Sequence, residues 1–152
     1  MTQTLEGYKR ILLPVEFTEN CERAAQHAAW LSLQSGGTLH VAHVVENPLD
    51  PVYTPNEVQH WFVVEHANKK ALALLEATAN RCLPPGAPRE LHVLGGDAAE
   101  KLLALAETIA ADLIVMSTHG TSSIAHLLLG DIAEKVARHA HCPVLLVHVP
   151  RE

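Results

Sequence analysis

The sequence predicts a single-domain α/β fold, in which a five-stranded parallel sheet carries helices on both faces. Five short apolar runs alternate along the chain with longer stretches that have a helical pattern. Continuous apolar runs are typical of parallel strands, because both of their faces are covered. Strands that alternate with helices indicate right-handed βαβ crossovers. The length of 152 residues favours one domain over residues 1–152.

Composition excludes several classes of protein. Hydrophobic residues make up 48% of the chain and charged residues 18%, which excludes a disordered chain. The formal net charge of −6 argues against a general nucleic-acid or anionic-membrane surface. No apolar run approaches the roughly 20 residues of a membrane span, and the first ten residues lack the apolar stretch of a signal peptide. The three cysteines, far apart in sequence, favour a reducing cytoplasm over a disulfide framework.

The first predicted unit is strand, helix, strand. The first apolar run is Arg10–Val15, and a helix is predicted from about Asn20 to Ser35. Gly36-Gly37 ends this helix, because glycine commonly follows a helix C-terminus. The second strand is predicted at Thr38–Val45.

The middle of the chain predicts a loop, a long helix and a third strand. Three prolines within residues 47–55 indicate the loop. The helix is predicted at about Asn56–Cys82, and the proline-rich stretch at 84–88 ends it. The third strand is predicted at Glu90–Leu94.

A capping box introduces the third predicted helix. Gly95-Gly96 leads to Asp97, and Glu100 follows three residues later. This spacing is typical of a helix start, with Asp97 in the N-cap position. The helix is predicted to continue to about Ala110.

The last forty residues predict both secondary structure and a candidate site. A strand at Leu113–Met116 ends in the polar loop Ser117–Gly120, and Gly130 precedes a helix at Ile132–His139. A fifth strand follows at Val144–Val149. A strand that opens through glycine into a helix is suited to an anion, because the free N–H groups of the helix start point toward it.

These segments resemble the universal stress protein family, over nearly the whole chain. The resemblance is carried by Arg10–Val15 with Glu16 and Thr18, by His43-Val44, by Met116 with Thr118-His119-Gly120, and by Gly130, Ala133–Val136, Arg138-His139 and Cys142–Val144. It implies a doubly wound sheet with the strand order 3-2-1-4-5. Ligands of such sheets bind where the order reverses, here between strands one and four.

The resemblance also implies an ATP-type adenine-nucleotide pocket. Many members bind ATP through a glycine, two residues, a second glycine, nine residues, a third glycine, and then serine or threonine. The matching positions here are Ser117, Gly120, Gly130 and Asp131. His126 stands where some members place arginine, and His119 falls beside the phosphates. The predicted cofactor-binding residues are Pro14, Val15, Glu16, Val44, Met116, Ser117, His119, Gly120, His126, Gly130, Asp131 and Ile132.

Two of these positions depart from the family pattern. Ser117 adds a side chain where backbone approaches the ligand, and Asp131 places a carboxylate at the anion-binding helix start. Unit charges about 5 Å apart repel by roughly 3 kcal/mol at an effective dielectric of 20, on the order of a hundredfold in affinity. Mg²⁺ bridging Glu16 or Asp131 to the phosphates would offset this repulsion. The alternative is that Asp131 only caps the helix and that the glycines serve only turns.

Eleven histidines raise the question of a metal site. His40 and His43 are three residues apart on one predicted strand, so their side chains face opposite ways. No HExxH motif or Cys/His cluster occurs in the sequence. The sequence therefore predicts no dedicated metal site and no catalytic residue.

The apolar strand Val144–Val149 predicts a homodimer. An uncovered apolar edge strand is an aggregation hazard unless a partner pairs with it. The family commonly places its dimer seam at this strand, although a strand buried between helices is the alternative.

The function predicted from the resemblance is a cytoplasmic, non-enzymatic stress-response module that acts by nucleotide-dependent or partner binding, without nucleic acid or membrane. One alternative is a homodimeric interaction protein that does not bind nucleotide, which Ser117 and Asp131 favour. A second is a slow Mg²⁺-dependent ATP hydrolase, with Glu16 holding the metal and His119 facing the γ-phosphate.

Overall fold

The computed structural model describes residues 4–18, 21–50, 52–53, 63–118 and 129–148. Within them the elements are β1 (Arg10–Pro14), α1 (Cys21–Ser35), β2 (Thr38–Val45), α2 (Val63–Cys82), β3 (Arg89–Gly95), α3 (Ala98–Thr108), β4 (Leu113–Ser117), α4 (Asp131–His139) and β5 (Val144–Val147). The strands form one parallel sheet in the order β3-β2-β1-β4-β5. The predicted α/β class, parallel sheet and strand order are confirmed.

Each face of the sheet has its own apolar core. Ile11 and Leu13 of β1 pack with α1 and α2 on one face, whereas Leu12 packs with α3 and α4 on the other. All three side chains are at most 1% exposed. The central strand is thus covered on both sides, which explains why its sequence is a continuous apolar run. No helix of the described residues combines the length and apolar character that a membrane crossing requires.

The third helix ends two residues before its predicted end. Ala110 adopts a left-handed conformation with φ of 51°. Its N–H donates to the Glu107 carbonyl at 3.1 Å, and the Ala111 N–H donates to the Ala106 carbonyl at 2.8 Å. These two bonds form a Schellman closure, which usually has glycine at the left-handed position. Because alanine stands there, the sequence alone did not reveal this helix end.

The remaining boundaries differ little from the predicted ones. β1 ends at Pro14 rather than Val15, β3 is longer by one residue at each end, and α1 begins at Cys21. The fifth strand ends at Val147 rather than Val149, since His148 already lies outside the strand. The predicted start of the second helix at Asn56 lies outside the described residues. The N-cap at Asp97 is confirmed, since its Oδ2 accepts a hydrogen bond from the Glu100 N–H at 2.9 Å.

The alternative that Asp131 caps the fourth helix is wrong. The N-cap of α4 is Gly130, which has no side chain to close the helix end, and Asp131 is the first helical residue.

The strands separate where the candidate site was predicted. β1 pairs with β2 along its whole length. It pairs with β4 only at Ile11 and Leu12. Beyond these two positions Pro14 lacks an N–H, and the next N–H, of Val15, donates to Ala42 on the β2 side at 2.8 Å. A crevice therefore opens between the carboxyl ends of β1 and β4.

Candidate functional site

A cavity of about 380 Å³ occupies this crevice. Nine of the predicted cofactor-binding residues line it: Pro14, Val15, Glu16, Val44, Met116, Ser117, Gly130, Asp131 and Ile132. The other three, His119, Gly120 and His126, lie outside the described residues. Segments about 100 residues apart in sequence therefore contribute to one cavity, and its volume is within the range of small-molecule sites.

Part of the cavity wall is apolar. Val15, Val44, Leu102 and Met116 contribute aliphatic and thioether groups from β2, α3, β4 and the end of β1. Val15 and Met116 are buried, so the sheet and its helices hold these groups in place. Such a wall is suited to a flat apolar group such as a nucleobase.

The N-terminus of α4 forms the opposite, polar part of the cavity. The Gly130 N–H donates to the Thr118 carbonyl at 2.7 Å, and the Gly130 carbonyl accepts the first helical bond from Glu134 at 2.9 Å. The N-cap residue, Gly130, has no side chain to cap the helix. The partial positive charge of its first turn therefore faces the cavity, which favours an anionic group or the carboxylate of Asp131 itself.

Carboxylates dominate the charge of the cavity. Glu16, Glu46, Asp50 and Asp131 line it, and the described lining residues contain no lysine or arginine. Glu46 accepts a hydrogen bond from the Ala98 N–H at 3.0 Å and so closes the start of α3. The chemistry of these residues fits a nucleoside directly. It fits a polyphosphate better with a divalent cation, which the hard carboxylate oxygens are suited to bind.

Sequence reasoning missed a buried network beside the cavity. The His43 Nδ1–H donates to the Val15 carbonyl at 2.9 Å, and the Tyr53 hydroxyl donates to His43 Nε2 at 2.6 Å. The ring also stacks on Phe17, with centroids 4.0 Å apart. Because a carbonyl can only accept, these contacts fix the neutral tautomer of His43.

Burial lowers the pKa of His43 below its ordinary value, since desolvation outweighs the opposing effects of the Val15 carbonyl and the Glu46 carboxylate. Burial and, secondarily, the Asp50 carboxylate raise the pKa of Tyr53. Both groups are therefore neutral at pH 7. The signal available in the sequence was that apolar residues flank His43 on both sides in its strand. A buried histidine ring must find hydrogen-bond partners. Its partner Tyr53 lies in a proline-rich loop, and no sequence pattern predicts that this loop contacts β2.

One polar atom of the cavity lining lacks a partner within the described part of the chain. Thr18 Oγ1 is buried without a hydrogen bond to any of those residues, and Thr18 lines the cavity. An unsatisfied buried hydroxyl costs about 1–3 kcal/mol, which a ligand that accepts or donates here would recover.

Comparison with known proteins identifies a family model and relatives that match nearly the whole chain. The family model described as the universal stress protein family matches residues 7–148. A universal stress protein of Methanocaldococcus jannaschii is 30% identical over 146 residues, which cover 95% of this chain and 85% of the relative. A universal stress protein of Thermus aquaticus is 35% identical over 142 residues, which cover 92% and 98% of the two chains.

Solved structures agree with this relationship. A hypothetical protein whose biochemical function was assigned from its structure superposes with a TM-score of 0.78 at 25% identity, covering 95% of this chain and 99% of the other. A universal stress protein in complex with cAMP gives a TM-score of 0.61 at 26% identity, with 93% and 98% covered. A family member from Archaeoglobus fulgidus in complex with dAMP, at 20% identity and a TM-score of 0.55, shows the shared fold alone. The chain therefore belongs to the universal stress protein family.

Proposed function

We propose that this universal stress protein binds an adenine nucleotide in the crevice between β1 and β4 and acts in the cytoplasm as a nucleotide-responsive stress module. The observation that carries the proposal is the meeting, in one cavity of about 380 Å³, of an apolar wall and a helix N-terminus whose N-cap is glycine. An apolar wall accommodates the base, and the first turn of α4 attracts the phosphate end.

A relative supports this ligand class. The universal stress protein whose structure contains cAMP is 26% identical to this chain and shares its fold. Cyclic AMP carries a single phosphate charge, so it needs less compensation than ATP in a cavity lined by carboxylates. We expect this chain to bind nucleotides with few phosphate charges without a metal, and ATP with Mg²⁺.

Each group of lining residues has a separate role in the proposal. Val15, Val44 and Met116 pack against the base, and the backbone N–H groups of the first turn of α4 bind the phosphates. Glu16 and Asp131 would hold Mg²⁺, which supplies the positive charge that the described lining residues lack. The metal binds oxygen ligands and reduces repulsion between carboxylate and phosphate.

We propose binding rather than catalysis for this cavity. Phosphoryl transfer requires positioned cations and a group that orients the nucleophile. The described lining residues include no cationic side chain, and His43 already uses both ring nitrogens in hydrogen bonds.

Isothermal titration calorimetry with ATP, AMP and adenosine, each with and without Mg²⁺, tests the proposal. We expect ATP to bind more tightly with Mg²⁺, because the metal offsets the charge of the cavity. Adenosine, which has no phosphate, serves as the control and is expected to bind equally well in both conditions.

Absence of heat for all three ligands at millimolar concentration would contradict nucleotide binding. It would favour the interaction module that does not bind nucleotide, for which the excess of carboxylates in the cavity is the specific supporting observation.

A further inference from the structure

Three potential metal ligands meet on the sheet at a distance from the cavity lining. His40 lies on β2, and Glu90 and His92 lie on the neighbouring strand β3. In the parallel register His40 is directly opposite Glu90. Side chains alternate along a strand, so Glu90 and His92, two residues apart, project from the same face as His40. None of the three lines the cavity between β1 and β4.

The geometry points to a zinc site at this cluster, which we propose is held by His40 Nδ1, Glu90 Oε2 and His92 Nε2. The two nitrogens are 3.0 Å apart. The Glu90 oxygen is 3.5 Å from the His40 nitrogen and 4.0 Å from the His92 nitrogen. Metal–ligand bonds of about 2.0–2.1 Å at tetrahedral angles place ligand atoms roughly 3.3 Å apart. The observed separations bracket this value, so small rotamer adjustments bring all three atoms onto one ion.

The donor set matches zinc. Two imidazoles and one carboxylate are the protein ligands of zinc sites that keep a fourth position open. The separation of the two nitrogens also requires that at least one of them carries no proton, because an N–H can approach a nitrogen this closely only as a donor to its lone pair. One imidazole lone pair is thus already directed into the cluster.

Burial gives the site one closed side and one open side. The His40 side chain is 8% exposed, that of His92 is 22% exposed, and that of Glu90 is 64% exposed. A metal bound here would rest against the sheet and remain accessible to water or to an external ligand in its fourth position. Because β3 is an edge strand, no further strand of the described sheet covers this side.

A hydrogen-bonded histidine pair without metal is the competing interpretation. The two rings stack with centroids 5.2 Å apart and planes inclined by 24°. In that interpretation Glu90 only accepts a weak contact from His40. The two interpretations differ in one measurable respect. Only a metal site predicts that the affinity for one ion falls when any of the three side chains is removed.

Titration of the metal-free, full-length protein with Co²⁺ tests the proposal, because cobalt reports its coordination by visible absorption and zinc displaces it. We expect one equivalent of Co²⁺ to give intense, tetrahedral-type absorption that Zn²⁺ abolishes. His92→Ala is expected to lower the affinity at least about tenfold, and Glu90→Gln is expected to lower it as well. Circular dichroism checks that both variants remain folded, which their partial exposure favours.

Two matched variants separate this site from adventitious binding and from the nucleotide cavity. His27→Ala removes an exposed histidine on α1 outside the cluster, and it is expected to leave the cobalt affinity unchanged. Asp131→Ser, which removes a proposed Mg²⁺ ligand in the cavity, is expected to leave the tetrahedral-type cobalt absorption unchanged, because oxygen ligands there favour octahedral geometry. Equal cobalt binding in the wild type and His92→Ala, or no binding at stoichiometric concentrations, would overturn the proposal whether or not the protein binds nucleotide.

Discussion

At the scale of single residues, Asp131 has the greatest expected influence on phosphate binding. It is an exposed carboxylate in the first turn of α4 and lines the cavity. Because water screens an exposed charge, its repulsion of a nearby phosphate is about 1 kcal/mol rather than the 3 kcal/mol of a less solvated pair. We therefore expect Asp131→Ser to tighten metal-free ATP binding about threefold to tenfold, as measured by calorimetry.

The control for Asp131 is Glu134→Ser, which removes the same charge from the same helix. Glu134 pairs with Arg138 at 2.7 Å and does not line the cavity. We expect this variant to change ATP affinity little, and both variants to bind adenosine like the wild type. Weaker ATP binding by Asp131→Ser in the presence of Mg²⁺ would show that Asp131 holds the metal.

Ala110 is a residue in an unfavourable backbone conformation. The left-handed region costs an L-residue roughly 1–2 kcal/mol. Glycine adopts this region without that cost, but its unfolded chain has more conformational freedom, which cancels part of the gain. We expect Ala110→Gly to raise the free energy of unfolding by about 0.5–1 kcal/mol in urea titrations. Ala104→Gly, an exposed position inside α3, is the matched control and should lower it by about 1 kcal/mol. A loss of stability in both variants would contradict the strain at Ala110.

His43 is expected to make stability depend on pH. Its folded pKa is depressed by burial, so the unfolded chain, with an ordinary pKa of about 6.5, binds more protons in the interval below that value. The stability contributed by neutral His43 is therefore complete above about pH 6.5 and decreases as the pH falls toward the folded pKa. The Glu46 carboxylate raises the pKa of His43 and so opposes the effect of burial without outweighing it. The Tyr53 hydroxyl, whose pKa is raised, stays neutral over this pH range.

A comparison of wild type with His43→Gln isolates this effect, because the other histidines titrate in both proteins. We expect the difference in unfolding free energy between the two proteins to be largest at pH 7–8 and to shrink toward pH 5. A difference that does not vary with pH would mean that His43 keeps its ordinary pKa in the folded state.

At the scale of elements, β5 is the strand from which we propose homodimer formation. It is an edge strand of the described sheet, and Val144, Leu145 and Leu146 are only partly buried. The carbonyls of Pro143 and Val147 accept hydrogen bonds from the N–H groups of Ile114 in β4 and of Thr118 just after it. In a parallel ladder the N–H and C=O of one residue point the same way, so the N–H of Leu146 points outward, away from β4.

This orientation gives a variant that removes one outward donor. We expect Leu146→Pro to yield a folded monomer, as measured by light scattering. Proline is tolerated in an edge strand, but it has no N–H to donate to the β5 strand of a second copy, which a two-fold axis would pair antiparallel. Leu146→Ala keeps the N–H and should remain dimeric. A dimer that persists in Leu146→Pro would place the interface elsewhere, and a monomeric wild type would exclude it at the concentration used.

The elements were predictable because each has a local signal. The apolar runs, the glycines after α1 and the Asp97 cap all lie within the segment that they organise, and the structure contains each of them. The helix end at Ala110 was missed because alanine there carries no local signal. The contacts of His43 with Tyr53 and of His40 with His92 depend on how distant segments align, which spacing along the chain does not encode.

At the scale of the whole molecule, the central strand depends on partners from distant parts of the chain. β1 is hydrogen-bonded to β2 on one side and to β4 on the other. The Asp112 carboxylate, just before β4, accepts the N–H groups of Lys9 and Arg10 at 2.8 and 3.1 Å, across more than 100 residues of sequence.

This arrangement has a consequence for synthesis on the ribosome. β1 is synthesised before the other four strands but lies in the middle of the sheet. The edge of β1 that pairs with β4 stays open until residues after Asp112 have emerged. Loop closure over such a distance is slow, and an open apolar edge in the meantime attracts other chains. A fragment of residues 1–95 is therefore expected to bind a hydrophobic dye and aggregate, and a stable monomeric fragment would show that β1 and β2 suffice. The position of β4 in the sequence therefore sets how long β1 keeps an unpaired edge during translation.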